Sequence, residues 1–536
     1  MSLNYTQIEF NEQFERAYHL IEYTKKNVFI TGKAGTGKST LLKYFRENTR
    51  KKVVFLAPTG VSAINIAGQT IHSFFNFKPD ITPDKAEKIK PVDAQLYKDL
   101  DAIVIDEVSM VRADLLDCID RFLRKNGPIR KMPFGGIQMI FIGDLYQLPP
   151  VVTFRERDIF SGLYKSQYFF DAHVFKETNK NNAFGIFHGK FNVDNNNFKM
   201  EFIELEKVYR QKDEKFIEIL NAIRNNTVTD EQIEVLNSRC ISDFNEEGFI
   251  HLTSTNELAD RINKNKLDII DGDEFTYYGK IKGDFQLSDL PTSLELKIKV
   301  GSQVMLLNND SEGRWINGTI GIIKDIIPDD SDDIIVVQLK SGDIVEVEPF
   351  QWQMFKFYYD SKDKKILTQC VGTYIQYPIK LAWAITIHKS QGLTFEKVII
   401  DIGKGTFAHG QMYVALSRCT SLNGLILKKP ITKKQILMDK RIVKFITEFQ
   451  YKKSEENCPM EKKLELLNDA LKRKRQVEIV YLKSSDVKSR RKILPTEVGE
   501  MNYKGKKFIG VKGICSIRGE ERTFAVSRIL EIKGAD

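Results

Sequence analysis

The stretch that most constrains the fold is NVFITGKAGTGKST, residues 27–40. A short apolar run from Val28 to Ile30 leads into the spacing Gly-x-x-x-x-Gly-Lys-Ser, and the residues that follow, TLLKYF, have the apolar periodicity of a helix. A glycine-rich turn between a strand and a helix presents backbone N–H groups and the positive end of the helix dipole to phosphate oxygens. The pattern therefore predicts a loop that binds a nucleoside triphosphate.

The residue types in this loop each suit one part of a triphosphate. Glycines allow the backbone to close around phosphate oxygens, Lys38 can reach the β- and γ-phosphates, and the Ser39 hydroxyl can ligate magnesium. ATP and Mg²⁺ are therefore the predicted cofactors. The predicted nucleotide contacts in this loop are Gly32, Gly35, Thr36, Gly37, Lys38, Ser39 and Thr40.

Two adjacent carboxylates end a second apolar run, AIVIDEVSM at residues 102–110. At the end of a buried parallel strand, Asp106 and Glu107 would cost too much free energy without a positive partner, and a magnesium–triphosphate complex supplies one. We expect Asp106 to hold magnesium and Glu107 to polarise the attacking water as general base.

A third apolar run, FIGDLYQLPP at residues 141–150, ends in Asp144 and in a glutamine that precedes two prolines. In isolation this pattern is typical of a surface turn, because Gly, Asp and Pro are common turn residues. Downstream of a phosphate-binding loop and an acidic strand end, Gln147 is better interpreted as a γ-phosphate sensor that also orients the attacking water.

Two arginines lie at the edges of apolar-patterned elements far along the chain. They are Arg210 in LEKVYRQ, residues 205–211, and Arg418 in YVALSRC, residues 413–419. Spacing alone favours a surface ion pair for each of them. Because the chain also carries the other motifs, we interpret them as arginines that complete the nucleotide site across a second lobe.

Composition limits the protein class without deciding it. The 536 residues carry a net charge of +9, which permits a nucleic-acid partner without requiring one, and at roughly 150 residues per domain they suggest three or four domains. No apolar run reaches the length of a membrane span, so no membrane partner is expected. The six cysteines form no C-x-x-C pair and no secretory signal is present, which predicts a cytoplasmic protein without a zinc site.

Further motifs follow the phosphate-binding loop in order: APTGVSA (57–63), GQTIHSFF (68–75), GDLYQLPPV, LEKVYRQ, WINGTIG (315–321), AWAITIHKSQGLTF (382–395) and YVALSR. Over about residues 10–450 the chain thereby resembles the petite-integration-frequency (Pif) family of superfamily 1B DNA helicases. The resemblance implies two RecA-like lobes that walk 5′ to 3′ on single-stranded DNA and separate duplex or other folded DNA, including G-quadruplexes. We expect the protein to act as a monomer.

The resemblance also assigns individual residues. Gln13 falls where the family reads adenine, with Gln7 as a rival. The aromatic pair Phe74 and Phe75 follows a DNA-contact motif, where a base could stack on a ring, although phenylalanines in such a run more often belong to the core. The positions that resemble DNA contacts are Thr59, His72, Phe74, Phe75, Thr253, Asn256, His388 and Ser390.

The motifs divide the chain into an α/β motor with inserted and appended β-rich parts. The expected boundaries are a first lobe at 1–200 with a wedge insertion at about 71–95, a second lobe at 201–270 and 376–453, a small β-barrel at 271–375, and a linker helix with a further β domain at 460–536. The Asn-rich segment 177–198 is expected to be a mobile loop.

The C-terminal β-rich segment resembles the WYL domain, which is named for a Trp-Tyr-Leu tripeptide. The residues that carry the resemblance are Tyr481, Arg491, Arg522 and Arg528, whereas FIG stands at 508–510 in place of the tripeptide. WYL-like domains bind nucleic acids or small negatively charged ligands, and guanidinium groups suit either. These four residues form a possible binding site.

The sequence thus predicts an ATP-dependent 5′ to 3′ DNA helicase. The alternative is a nucleic-acid-stimulated ATPase that translocates or remodels other molecules without unwinding a duplex. A regulatory binding protein with a degenerate motor is disfavoured, because the complete catalytic set is present: Lys38, Asp106, Glu107, Gln147, Arg210 and Arg418.

Overall fold

The computed structural model describes residues 10–534, except 79, 153–155, 176–197, 212, 331, 361, 364, 404, 406–407, 484, 504 and 517–518. The chain divides into two compact units, one of residues 1–220 with 229–437 and one of residues 221–228 with 438–536. Apart from Phe198, the Asn-rich segment lies outside the described residues, as does Gln7. Within the described residues, no helix combines the length and apolar character needed to cross a membrane.

A six-stranded parallel sheet organises the first lobe. Its strands are β1 (Asn27–Gly32), β2 (Val53–Ala57), β3 (Gln69–Thr70), β4 (Ala102–Ile105), β5 (Gln138–Ile142) and β6 (Met200–Leu205), in the order β3-β2-β4-β5-β1-β6. Strands β2, β4 and β5 are buried along their whole length, as expected for parallel strands covered on both faces. Because β6 pairs with β1, the first sheet extends beyond the predicted boundary at residue 200.

Several helices of this lobe begin at polar side chains that accept backbone N–H groups. Asn11 caps the first helix, and Thr59, Thr70 and Thr82 cap three short ones. The helices are α1 (Glu12–Tyr23), α2 (Lys38–Asn48), α3 (Gly60–Asn65), α4 (Ile71–Phe75), α5 (Pro83–Lys88), α6 (Ala94–Lys98), α7 (Ala113–Asn126) and α8 (Arg157–Leu163).

The expected wedge region is packed around an aromatic cluster. The Phe75 ring, which is 0% exposed, lies 5.2 Å from Phe77, 6.0 Å from Tyr97 and 5.3 Å from Phe122 of α7. Phe74 is also buried, with its ring 5.3 Å from Tyr97. This corrects the prediction that Phe74 and Phe75 contact DNA, since neither ring presents a face on which a base could stack.

A β-rich insertion follows the helices α9 (Glu214–Arg224) and α10 (Asp230–Asn237), the strand β7 (Ile250–Thr253) and the helix α11 (Asn256–Ile269). Its strands are β8 (Phe275–Tyr278), β9 (Lys280–Gly283), β10 (Glu295–Ile298), β11 (Gln303–Leu306), β12 (Ile320–Ile327), β13 (Ile334–Leu339), β14 (Ile344–Val347), β15 (Phe350–Asp360), β16 (Lys365–Gln376) and β17 (Ile379–Leu381). We call residues 275–381 the β insertion; its last strand lies beyond the predicted boundary at 375.

The β insertion has two main antiparallel sheets. Five strands pair in the order β14-β13-β12-β11-β17, and the long hairpin of β15 and β16 continues to β9. The hairpin reaches the first lobe, because Phe357 N donates to Gln69 Oε1 at 2.9 Å and Tyr359 N donates to Asp93 Oδ2 at 2.8 Å. The insertion is thus tied to the wedge region of the first lobe.

The second lobe is built on a four-stranded parallel sheet. Its strands β18 (Ala384–Thr386), β19 (Val398–Asp401) and β20 (Leu425–Leu427) join β7 in the order β18-β7-β19-β20, and the helix α12 (Gln411–Leu416) precedes β20. An α/β chain with two parallel sheets and additional β-rich parts confirms the predicted fold class.

The second unit has its own core. The helices α13 (Lys440–Asn457) and α14 (Met460–Arg473) accompany the strands β21 (Val477–Leu482), β22 (Lys488–Tyr503), β23 (Lys506–Cys515), β24 (Glu521–Ala525) and β25 (Ile529–Gly534), paired in the order β24-β23-β22-β21-β25. Ser454 Oγ of α13 donates to Leu530 O at 2.7 Å. Residues 440–453 therefore belong to this unit, although they were expected in the second lobe.

Replacing Phe75 by Ala tests the aromatic cluster. We expect a loss of about 3–5 kcal/mol in the free energy of unfolding, because the substitution removes a buried ring and leaves a cavity. The matched control is Val92→Ala in the same region, since Val92 is fully exposed and its change should stay within about 0.5 kcal/mol. Urea unfolding measures both; unchanged stability of Phe75→Ala with impaired DNA unwinding would contradict the assignment to the core.

Candidate nucleotide and DNA site

The phosphate-binding loop has the geometry that its sequence predicts. Gly35 and Gly37 have φ values of +78° and +89°, which favour glycine, and Gly37 immediately precedes α2. A Cβ on Gly35 would lie 2.4 Å from Arg210 Cβ, so glycine is also required by a close approach. Lys38 Nζ donates to Gly32 O at 2.7 Å, which holds the ammonium over the loop.

The acidic pair follows β4 directly. Asp106 N donates to Leu56 O at 2.9 Å, and Glu107 has the left-handed φ of +48°. Burial, together with the Glu107 charge, raises the pKa of Asp106 to about 7. Burial likewise raises the pKa of Glu107, against the opposing effect of Lys38. The pair is therefore a site of insufficiently compensated negative charge.

These donors fit Mg²⁺ with a triphosphate. The Ser39 hydroxyl is exposed at the start of α2 and the Asp106 carboxylate lies at the end of β4, and both offer the hard oxygen ligands that Mg²⁺ prefers. A divalent cation would also relieve the charge that keeps the pKa of Asp106 high.

The turn after β5 holds the predicted sensor. Gln147 is buried, its Nε2 donates to Asp144 Oδ2 at 3.3 Å, and Tyr146 N donates to Asp144 Oδ1 at 3.2 Å. Gly143 lies against the acidic turn, since a Cβ there would be 3.0 Å from Val108 N. The amide of Gln147 is thus fixed beside the acidic pair by the carboxylate at the start of its own turn.

Arg418 reaches the same cleft from the second lobe. It is 1% exposed, and its guanidinium donates to neutral oxygens, including Val414 O at 3.0 Å and Ser417 Oγ at 2.9 Å. Burial and the nearby Arg210 charge lower the pKa of Arg418 to about 9, although Glu107 opposes the shift. The structure thus brings Arg418 within electrostatic reach of the acidic pair.

Arg210 differs from its predicted location. It follows β6 and therefore belongs to the first lobe's edge, and it reaches across the cleft: Nη1 donates to Ser417 O at 3.4 Å and Nη2 to Gly392 O at 3.3 Å. Gly392 has a φ of +80°, a backbone conformation that favours glycine. Arg210 thus comes from the first lobe and bonds to the second, whereas Arg418 belongs to the second lobe.

Three cleft residues were not identified from the sequence. Tyr413 OH accepts the Ala34 N–H of the phosphate-binding loop at 3.0 Å, and Gln211 Nε2 donates to Ser417 O at 3.0 Å. A Cβ on Gly410 would lie 2.4 Å from Tyr146 O. Tyr413 and Gln211 lie inside two of the motifs quoted above, and this position was the only indication of their importance in the sequence. Their role in joining the two lobes is visible only in the fold.

The predicted adenine-reading residue lies beside the segment that leads to Arg210. Gln13 Nε2 donates to Glu206 Oε2 at 3.3 Å, and Glu206 N donates to Gln13 Oε1 at 3.0 Å. Asn11 Nδ2 donates to Tyr209 OH at 3.1 Å. Both partners of these hydrogen bonds come from the stretch that follows β6.

Two predicted DNA contacts have buried side chains. Thr253 Oγ1 donates to Thr255 O at 3.0 Å and Ser390 Oγ donates to Ile387 O at 2.8 Å, and both residues are 0% exposed. This corrects the prediction that their hydroxyls touch DNA, because each is used within its own turn.

The remaining predicted DNA positions are more accessible. Thr59 caps α3 and is half-buried, Asn256 is exposed at the start of α11, and His72 and His388 are half-buried. Burial lowers the pKa of both histidines, so they are neutral at pH 7.

Motifs far apart in sequence meet near these positions. Asn317 Nδ2 donates to Asn65 Oδ1 of α3 at 3.4 Å, and a Cβ on Gly318 would lie 3.2 Å from Leu393 Cδ2. Segments of the first lobe, the β insertion and the second lobe therefore share one neighbourhood.

The predicted WYL-like residues lie in the second unit. Tyr481 and Arg491 share a face, because Tyr481 pairs with Ser489 and Arg491 pairs with Ile479 across β21 and β22. The Tyr481 ring is 5.2 Å from Phe524. Arg522 lies on β24 and Arg528 in the short helix that precedes β25.

Comparisons with known proteins agree with this arrangement. Residues 7–234 match the family described as PIF1-like helicase, 326–453 match a helicase family, and 462–533 match the WYL domain. The ATP-dependent DNA helicase Pif1 of Bdellovibrio bacteriovorus is 30% identical over 455 residues, which cover 83% of this chain and 93% of that protein.

Solved structures of Bacteroides Pif1 are also similar. The complex with ADP-AlF4 is 36% identical with a TM-score of 0.72, and the alignment covers 83% of this chain and 97% of that one. The complex with single-stranded DNA is 37% identical with a TM-score of 0.57, and the alignment covers 82% and 96%.

Replacing Asp106 by Asn tests the charge in the cleft. The pKa of about 7, against the usual 3.8, means that the ionised carboxylate costs stability above pH 7 and that the cost fades as pH falls toward 4. We therefore expect Asp106→Asn to raise the melting temperature of the nucleotide-free protein by about 3 °C or more at pH 8, and by less at pH 5.

The control for this substitution is Asp268→Asn on the exposed face of α11, which should change the free energy of unfolding by no more than about 0.5 kcal/mol. A lower melting temperature for Asp106→Asn at pH 8 would show that the carboxylate is compensated in the free protein.

Proposed function

Because the chain belongs to the PIF1-like helicase family and is an ATP-dependent DNA helicase, we propose that it moves 5′ to 3′ along single-stranded DNA and opens duplex and G-quadruplex DNA. The single observation that carries the mechanism is the contact between the two lobes at this cleft, where Tyr413 OH accepts the Ala34 N–H at 3.0 Å and the charges of Glu107 and Arg418 act on one another. Hydrolysis there is coupled to the distance between the lobes, because each lobe supplies part of the catalytic set.

The roles in hydrolysis follow from charge and position. Lys38 and the loop glycines hold the β- and γ-phosphates, and Gln147 hydrogen-bonds the γ-phosphate and orients the attacking water. Glu107 takes the proton from that water, for which a pKa raised by burial is suited. Ser39 and Asp106 hold Mg²⁺, which when bound neutralises charge on the phosphate oxygens.

Arg210 and Arg418 act as arginine fingers. The hydrogen bonds of Arg418 are to neutral oxygens, so its buried charge lacks a close carboxylate partner among the described residues. A γ-phosphate that enters the cleft supplies that partner and draws the second lobe toward the first. Such arginines contribute on the order of 10³ to 10⁵ in rate.

Single-stranded DNA is held along the surface where motifs of the first lobe, the β insertion and the second lobe meet. We assign contacts with it to Thr59, His72, Asn256 and His388, which are exposed or half-buried, and assign adenine contact to Gln13. One chain is sufficient for translocation in this scheme, since both lobes come from the same polypeptide.

Partial duplexes with opposite tails test the direction. We expect a duplex with a 5′ single-stranded tail to be unwound at least about tenfold faster than one with a 3′ tail, and a G-quadruplex behind a 5′ tail to be resolved in an ATP-dependent manner. Strand separation is followed by fluorescence, with Lys38→Ala as the inactive control. Equal rates on the two tails, or a preference for the 3′ tail, would overturn the proposed polarity.

Glu107→Gln tests the assignment of the general base. The substitution keeps the shape and the hydrogen-bonding groups but removes the proton acceptor, so ATP should still bind while kcat falls by about 10² to 10⁴. Fluorescent-nucleotide titration measures binding and phosphate release measures turnover. Near-normal turnover would assign the base to another residue.

The C-terminal WYL domain provides a second site for nucleic acid. We assign to Arg491 a contact with a phosphate of the strand, because its side chain shares a face with Tyr481, and group Arg522 and Arg528 with it. The adjacent Arg490 lies on the opposite face of β22 and pairs with Glu478 at 2.9 Å, so it is a matched control.

Arg491→Gln should weaken single-strand binding and reduce the slope of log affinity against log salt concentration by about 0.7, the value for one phosphate contact on a single strand. Arg490→Gln should leave the slope unchanged. Fluorescence anisotropy with labelled oligo-dT measures both, and identical slopes for the two variants would leave this domain with a different ligand.

A further inference from the structure

Two lysines flank the edge strand of the second lobe. Lys380 lies on β17, four residues before β18, and Lys389 lies three residues after β18 ends. Strand β17 is the edge of the five-stranded sheet of the β insertion, where Lys380 pairs with Met305, and β18 is the edge of the second lobe's sheet. Both lysines therefore stand where the chain passes from the β insertion into the second lobe.

The same place is bordered by two of the helicase motifs. Leu307 N donates to Pro378 O at 2.7 Å and Gly318 N donates to Leu306 O at 2.8 Å, which ties β17 and the loop 316–319 to the same end of β11. Gly318 in turn lies against Leu393. The lysines are thus next to loops that the family uses near DNA, but Lys380 itself stands outside every quoted motif.

The ammonium of Lys380 has no carboxylate partner within the described residues. Lys51, another partly buried lysine, donates to three oxygens, including Gln138 Oε1 at 2.6 Å, and Lys463 lies 3.7 Å from Glu455. Lys380 makes no such hydrogen bond or ion pair with the described residues, and the positive charge of Lys389 acts on it unfavourably. Burial and that like charge lower its pKa to about 8.

A half-buried ammonium beside a second ammonium is costly unless an anion joins them. Lys389 is exposed and makes no ion pair in the described part of the chain, and Lys380 is half-buried, so a ligand from solvent can approach this pair from the side of Lys389. Lysine binds phosphate as a point charge and does not depend on base identity. A phosphate group can bridge two ammonium groups, and no carboxylate of the described residues pairs with either lysine.

We propose that Lys380 and Lys389 together hold one backbone phosphate of the single strand at the junction between the β insertion and the second lobe. This rests on the proposed function, because it places a phosphate of the tracked strand at that junction. The contact is independent of sequence. It also links the DNA strand to both parts at once, since Lys380 lies on β17 of the β insertion and Lys389 follows β18 of the second lobe.

Neutral variants test the contact. Lys380→Gln and Lys389→Gln should each weaken binding of labelled oligo-dT by about 5- to 20-fold at low salt and lower the salt slope by about 0.7. Because both lysines hold the same phosphate, the second substitution should have a smaller effect in the background of the first. Lys380→Arg, which keeps the charge, should retain most of the affinity.

Lys324→Gln is the matched control, since Lys324 is an exposed lysine on β12 of the same sheet. Its affinity and salt slope should equal those of the unmodified protein. If Lys380→Gln does not fold, as judged by circular dichroism, the exposed Lys389 carries the test alone.

The outcomes separate the two levels of inference. Absence of single-strand binding by the unmodified protein would overturn the proposed function. Salt-dependent binding that is the same in Lys380→Gln, Lys389→Gln and Lys324→Gln would leave the helicase intact and overturn the phosphate contact. Additive losses in the double variant would assign the lysines to two different phosphates and likewise overturn the shared site.

Discussion

Buried charge in the nucleotide cleft is the constraint on which the rest of the structure depends. Asp106 and Glu107 carry negative charge without full compensation, and Arg418 carries positive charge among neutral oxygens. Neither set can be satisfied within its own lobe at low free-energy cost. In the proposed mechanism a magnesium-bound triphosphate would satisfy both, so that nucleotide binding would also bring the lobes together.

The sheets deliver these groups to one place. The acidic pair and the Gln147 turn follow neighbouring parallel strands, so their loops emerge at the same edge of the first sheet. Arg210 follows a strand at the far edge of that sheet and crosses to the second lobe. Tyr413 makes the opposite crossing, by accepting a hydrogen bond from Ala34. Two crossings in opposite directions make the cleft responsive to a change in either lobe.

The β insertion is connected to both lobes of the first unit. Its hairpin is tied to the first lobe through Gln69 and Asp93, and its edge strand leads directly into the second lobe.

The sequence by itself determined the local chemistry. The phosphate-binding loop, the acidic strand end and the turn of Gln147 could be predicted because each depends on a few consecutive residues with special backbone or charge requirements, such as the left-handed Gly35 and Gly37. The β-rich insertion and the C-terminal domain could also be recognised from short-range alternation. Their boundaries could not, because β6 is assigned by its pairing with β1 and α13 by its contact with β25, and both partners are distant in sequence.

Only the tertiary structure decided which side chains are accessible. Phe74, Phe75, Thr253 and Ser390 lie in motifs associated with DNA, yet all are buried, because burial depends on neighbours that come from elsewhere in the chain. For the same reason, the sequence did not indicate the roles of Tyr413, Gly410 and the pair of Lys380 and Lys389. A motif specifies a residue type at a position, whereas exposure and charge balance arise from long-range packing, which no local pattern contains.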